Sequence, residues 1–177
     1  VKVTLKHTKR FAAHIEKAHQ EIMAKPSVSI GILGSKAMEE KSTSSKASFS
    51  DDGAFGKKTS NVSLVEVATF HEYGGRDNNP PERSYLRSTV REQTKNYKKF
   101  LAKALLQIYA GRLTVRQSLA LLGEKAVSDV RNKIRSNIPP PLKPATIKRK
   151  GSSVALIDTG QLLRGISYKV NQETKKK

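Results

Sequence analysis

Three consecutive prolines, Pro139-Pro140-Pro141, restrict this chain more than any other stretch. Proline has no amide hydrogen and its ring clashes with the preceding turn, so a helix running towards them must stop. Further on, Leu156-Ile157 offers an apolar anchor, and Asp158-Thr159 a capping pair for a short helical turn from Gly160 to Arg164. Ile166, Tyr168 and Val170 then alternate with polar residues, the period of a half-buried strand. The sequence therefore predicts a closing module of long helix, stiff corner, capped turn and final strand. Between corner and turn, Lys148-Arg149-Lys150-Gly151-Ser152-Ser153 reads as a basic, flexible loop.

Upstream, Val1, Val3 and Leu5 alternate and suggest a short strand. From Thr8 the period changes, with Phe11, Ile15, Ala18 and Ile22 on one helical stripe that Pro26 ends. Val28, Ile30 and Ile32 predict a second strand. Val62 to Tyr73 is apolar and fits a helix or a buried strand equally well. After the Gly74-Gly75 break, Pro80-Pro81-Glu82 leads into the longest helix, Tyr85 to Tyr109. Its expected stripe is Leu86, Val90, Tyr97, Phe100 or Leu101, Ala104 or Leu105, and Ile108. Gly111 stops it and Thr114 caps the next helix, whose stripe is Val115, Leu119, Leu122, Ala126, Val130 and Ile134. The short connection predicts a helical hairpin, and Gly123 inside the second helix predicts a closely packed neighbour.

Residues 35–61 change character. They are rich in Ser, Lys and Gly, with Phe49 and Phe55 as the large apolar residues and Asp51-Asp52-Gly53 as a turn signal. They predict either a long mobile loop or a hairpin arm that orders on a partner, with Phe49 and Phe55 as its anchors and Lys46, Lys57 and Lys58 facing anions. The expected fold class is α+β: a small, mostly antiparallel sheet against two long helices. The 177 residues are expected to form a single domain carrying this arm, with residues 171–177 a frayed basic tail.

A formal net charge of +19 favours polyanionic or acidic partners, and Lys148, Arg149 and Lys150 are the candidate contacts. The chain has no cysteine, which leaves no disulfide and no Cys-based metal site. No apolar run approaches the ~20 residues of a membrane span. Catalytic motifs fail on inspection. His71-Glu72 lacks the second histidine that a zinc protease places one helical turn on, since position 75 is Gly. Asp158-Thr159-Gly160 looks like an aspartic-protease triplet, but two such carboxylates must share a proton and only one copy is present. No enzyme, cofactor or metal is expected.

Two blocks together resemble a known family. One runs Val67-Ala68-Thr69-Phe70-His71-Glu72-Tyr73-Gly74-Gly75 and continues at Pro81-Glu82-Arg83-Ser84-Tyr85-Leu86-Arg87. The other is the Pro139 corner with Leu156-Ile157-Asp158-Thr159-Gly160-Gln161-Leu162. In order and spacing they are similar to the virion-morphogenesis proteins of tailed bacteriophages, the neck and tail-completion group. The resemblance implies a structural subunit of the head–tail junction, assembled in the host bacterial cytoplasm. Such a subunit forms a homo-oligomeric ring between portal or connector proteins and the tail tube or tail terminator protein. DNA passes through the lumen without sequence-specific binding, and no membrane is involved. A basic nucleic-acid-binding protein is the alternative.

Overall fold

The structure, a computed structural model, describes residues 5–33, 48–49, 55–56, 63–75 and 80–171. Six helices and four strands follow in the order α1 (Leu5–Met23), β1 (Ser27–Ile32), β2 (Ser48–Phe49), β3 (Phe55–Gly56), α2 (Leu64–Tyr73), α3 (Leu86–Tyr109), α4 (Val115–Arg135), α5 (Pro144–Lys150), α6 (Gln161–Gly165) and β4 (Ile166–Asn171). The fold class is α+β, as the sequence predicts, with β1 and β4 forming a two-stranded antiparallel sheet packed against helices. A second ladder pairs β2 with β3, setting Phe49 opposite Phe55.

Two compact units divide the chain: residues 1–29, 93–125 and 168–177 in the first, 30–92 and 126–167 in the second. In the first, Ala18 of α1, Ile108 near the end of α3 and Val115 at the start of α4 are buried together, with Ile22, Leu113 and Leu119 against them. His14 donates from Nε2 to the Ile108 carbonyl at 2.8 Å, which also accepts from Gly111 N–H at 3.0 Å at the end of α3. Gly111 at φ 72° turns the chain, and Thr114 caps α4. The Thr114 hydroxyl accepts from Gln117 N–H at 3.1 Å, while Gln117 Oε1 accepts from Thr114 N–H at 2.9 Å. Gly123 of α4 lies directly against the Tyr168 ring of β4, so its missing Cβ is what lets strand and helix meet.

In the second unit the C-terminal half of α4 supplies Val130 and Ile134, and β4 supplies Ile166; all three are fully buried. Arg131 donates to the carbonyls of Leu163 at 3.1 Å and Ile166 at 2.9 Å, tying α4 to the α6–β4 junction. Bare Gly165 lets Leu64 of α2 and Ile32 of β1 approach the α6 backbone. Lys133 of α4 pairs with Glu92 of α3 at 2.7 Å.

Several expectations shift. Leu5 belongs to α1 rather than to a strand, and residues 1–4 lie outside the described residues. The segment 62–73 resolves as a helix from Leu64, opened by a capping box between Ser63 and Glu66. α4 ends at Arg135, before the prolines, where Asn137 takes the left-handed conformation at φ 54°. On α3 the buried positions are Thr89, Ala104 and Ile108, whereas Val90, Leu101 and Leu105 are exposed. Ala104 and Ile108 belong to the expected stripe; Thr89 is buried in addition, because its hydroxyl is satisfied on the Tyr85 carbonyl and so tolerates burial.

Candidate functional site: a carboxylate-capped helix junction and the basic positions

The densest polar cluster of the second unit is built on Glu72, in the last turn of α2. Gly74 ends that helix at φ 81°, and the chain returns through Pro80 and Pro81 to start α3. Gly75 N–H bonds the Pro80 carbonyl at 2.8 Å and Arg83 N–H bonds the His71 carbonyl at 2.8 Å, so the loop closes on itself. This return sets the first turn of α3 over the Glu72 carboxylate, whose side chain is only 4% exposed as a residue. Oε2 accepts from the amides of Tyr85 and Leu86, each at 2.9 Å. Oε1 accepts from the Arg87 amide at 2.9 Å, the Ser84 hydroxyl at 2.8 Å and Arg87 Nε at 3.0 Å.

A helix start leaves amides without intrahelical partners, and its dipole favours negative charge there. Ordinarily a residue just before the helix caps it. Here a carboxylate from the preceding helix does so. Burial alone would raise the Glu72 pKa. The hydrogen bonds from Leu86, Arg87, Ser84 and Tyr85 outweigh it and hold the carboxyl below the usual range. Burial and the Glu72 charge push the Tyr85 phenol upward. Arg87 completes the cluster: Nη2 reaches the Glu72 carbonyl at 2.8 Å and Glu82 at 2.9 Å, and the guanidinium lies 4.1 Å from the centre of the Tyr73 ring.

Arg83 is also 4% exposed. Its Nε and Nη2 donate to the Pro140 carbonyl at 3.2 and 2.6 Å, which ties the α2–α3 junction to the proline corner. Burial lowers its pKa. The two sequence blocks, Glu72–Arg87 and the Pro139 corner, therefore meet through one guanidinium, whose acceptor lies 57 residues further along the chain.

Chemically this arrangement is a clamp. The Glu72 oxygens are occupied by five donors, so the carboxylate has no free geometry for abstracting a substrate proton. Among the described residues, no group of three or more His, Asp or Glu side chains is placed to hold a metal ion.

The sequence-derived positions fall as follows. Phe49 and Phe55 are brought together as register partners of β2 and β3; Lys57 and Lys58 lie outside the described residues. Asp158 and Thr159 immediately precede α6, whose N-cap position is Gly160 at φ 76°. Thr159 bonds Gln161 Oε1 at 3.2 Å through its hydroxyl and receives Arg164 Nη2 on its carbonyl at 3.0 Å. Lys148, Arg149 and Lys150 form the end of α5, not a loop. Lys148 is exposed and Arg149 is described by its backbone alone. Lys150 folds back on the carbonyls of Val154 at 3.3 Å and Ala155 at 2.8 Å, so it serves the fold first. Glu72 and Arg83 were readable only as parts of a motif. The signal that marks the role of Glu72 is a carboxylate at the end of an apolar helix shortly before a Pro-led helix start, where Ser84 accepts from Ser88 N–H and the amides of Tyr85, Leu86 and Arg87 still need an acceptor.

Comparison with family models, with curated proteins and with solved structures finds no match to this chain.

Proposed function

We infer that this chain is a structural virion protein of a tailed bacteriophage, a ring-forming neck subunit that completes the tail between connector and tail tube. One observation carries the reading. The residues in which the chain resembles the virion-morphogenesis proteins, Glu72, Arg83, Tyr85 and Arg87, bond to one another, to the α2–α3 backbone and to Pro140. They are spent on shape, as expected of an architectural subunit, and the carboxylate among them is saturated. The arm around Phe49 and Phe55 suits a contact made on assembly. The ring partners are further copies of the chain, with connector proteins on one face and tail tube or terminator on the other.

Electron microscopy of tailed particles carrying a tagged chain tests this. Density for the tag at the collar between head and tail supports the reading; a particle whose collar lacks the tag refutes it. The net charge of +19 favours a second reading, a nucleic-acid-binding protein. A salt titration on duplex DNA separates the two. Affinity falling steeply with salt supports the second, because neutralised phosphates release counterions, whereas weak binding supports the first.

A further inference from the structure

We propose that the outer face of α3 seats an acidic amphipathic helix of a different protein. The inference goes beyond the neck reading by naming the chemistry of a neighbour, and rests on it only in taking that neighbour to be a protein.

The positive charge is unevenly divided. Each compact unit holds 17 Lys and Arg, but the first has 4 Asp and Glu against 11 in the second, so the first carries +13 of the net +19. From Gln93 to Gly123, within the first unit, there is no Asp or Glu. α3 crosses this stretch with Lys95, Lys99 and Lys103 one turn apart. All three are exposed, and none pairs with a carboxylate among the described residues. Four residues rise about 6 Å along a helix, so these lysines form a ladder of about that spacing.

An apolar stripe runs beside the ladder. Ala102, Leu106 and Ala110 are also one turn apart and exposed. Ala110 N–H bonds the Leu106 carbonyl at 3.0 Å, so the stripe keeps helical register past Tyr109. Leu106 is 68% exposed, the most open large apolar side chain among the described residues. Lys99 and Lys103 lie seven and three residues before it and share its face, whereas buried Ala104 and Ile108, two residues to either side, turn the other way. The face is thus a leucine knob between two alanines, edged by lysines. Small residues beside the knob let a second helix approach to an axial distance of about 8 Å. The complement is a helix with an apolar stripe of its own and Asp or Glu repeating every four residues along its flank.

Two other occupants lack that complement. In a second copy, α2 is the only described helix with a net negative charge, and both its carboxylates are engaged: Glu66 in the capping box and Glu72 on five donors. A nucleic-acid backbone would bond the lysines and leave Leu106 in water.

Fluorescence anisotropy with the full-length chain tests this against three probes. One is a helical peptide of about three heptads with Leu along one stripe and Glu on both flanks. The others are a scrambled peptide of the same composition and duplex DNA. The striped peptide should bind at least about tenfold tighter than the scrambled one. Leu106→Ser, at an open position, should keep the native circular dichroism and remove that advantage. Lys99→Glu with Lys103→Glu should lose the Glu-flanked peptide and gain affinity for a Lys-flanked version of it. Equal affinity for striped and scrambled peptides overturns the proposal, since charge alone then suffices. Native discrimination by Leu106→Ser overturns it too. So does duplex DNA that binds more tightly than the striped peptide and loses affinity with Lys99→Glu and Lys103→Glu. A chain that discriminates the peptides but is missing from the collar sinks the neck reading alone; a tagged collar without discrimination sinks this surface alone.

Discussion

The start of α3 and its end solve opposite problems. At the start, Glu72 takes five donors, Arg87 is shared between Glu72 and Glu82, and Arg83 sits on the Pro140 carbonyl. At the end, a small cluster of Ala18, Ile108 and Val115 holds the helices, while lysines and leucines are left open around it. Charges bonded within the chain fix a shape, because a buried ion without its partner is costly. Charges and apolar groups left on one surface have stability to gain only from a second molecule. The same helix thus carries a rigid root and an unsatisfied tip, which is the division an assembly subunit needs.

Removing Glu72 should break the root. Glu72→Ala strands the amides of Tyr85, Leu86 and Arg87 and should cost about 3 kcal/mol, read as a lower urea midpoint. The pH dependence follows the same group. Its folded pKa lies below the ordinary 4.5, so its contribution is complete above that value and is lost as pH falls through the folded pKa. Acid unfolding of the native chain should therefore steepen below about pH 4.5, and Glu72→Gln should flatten that limb.

Gly123→Ala tests the packing of the other unit. Helix propensity alone would reward alanine, but the added methyl meets the Tyr168 ring near its root, so a net loss of about 1–2 kcal/mol is expected. A gain in melting temperature would show that β4 yields there. Thr114→Ala removes the α4 cap and should cost about 1 kcal/mol by the same urea measurement. Leu105→Ser should change monomer stability by no more than about 0.5 kcal/mol, since the side chain is already open, yet should lower the assembled fraction in light scattering.

Much of the framework is legible in the sequence. Period-two alternation marks β1 and β4, and the Thr114 cap, the Gly111 stop and the glycine against Tyr168 each carry a local signal. Local signals fail where a distant partner decides. Pro80-Pro81-Glu82 and Ser84 announce the start of α3, but the carboxylate that accepts from its first amides comes from another helix and has no local signal. Thr89 is buried and Leu105 exposed, the reverse of hydropathy, because a backbone carbonyl satisfies one and no neighbour covers the other. Gly160 takes the N-cap position of α6 at a left-handed φ, which composition around Asp158-Thr159 does not announce. Of the candidate contacts, Lys150 looked like open charge and is bonded within its own loop.

Hydroxyl-radical footprinting of the chain before and after assembly tests the division most directly, because it reads side-chain exposure residue by residue. Oxidation of Leu101, Leu105 and Leu106 should fall on assembly, while buried Tyr85 stays unreactive in both states. Leucines as reactive after assembly as in the free chain would contradict the account.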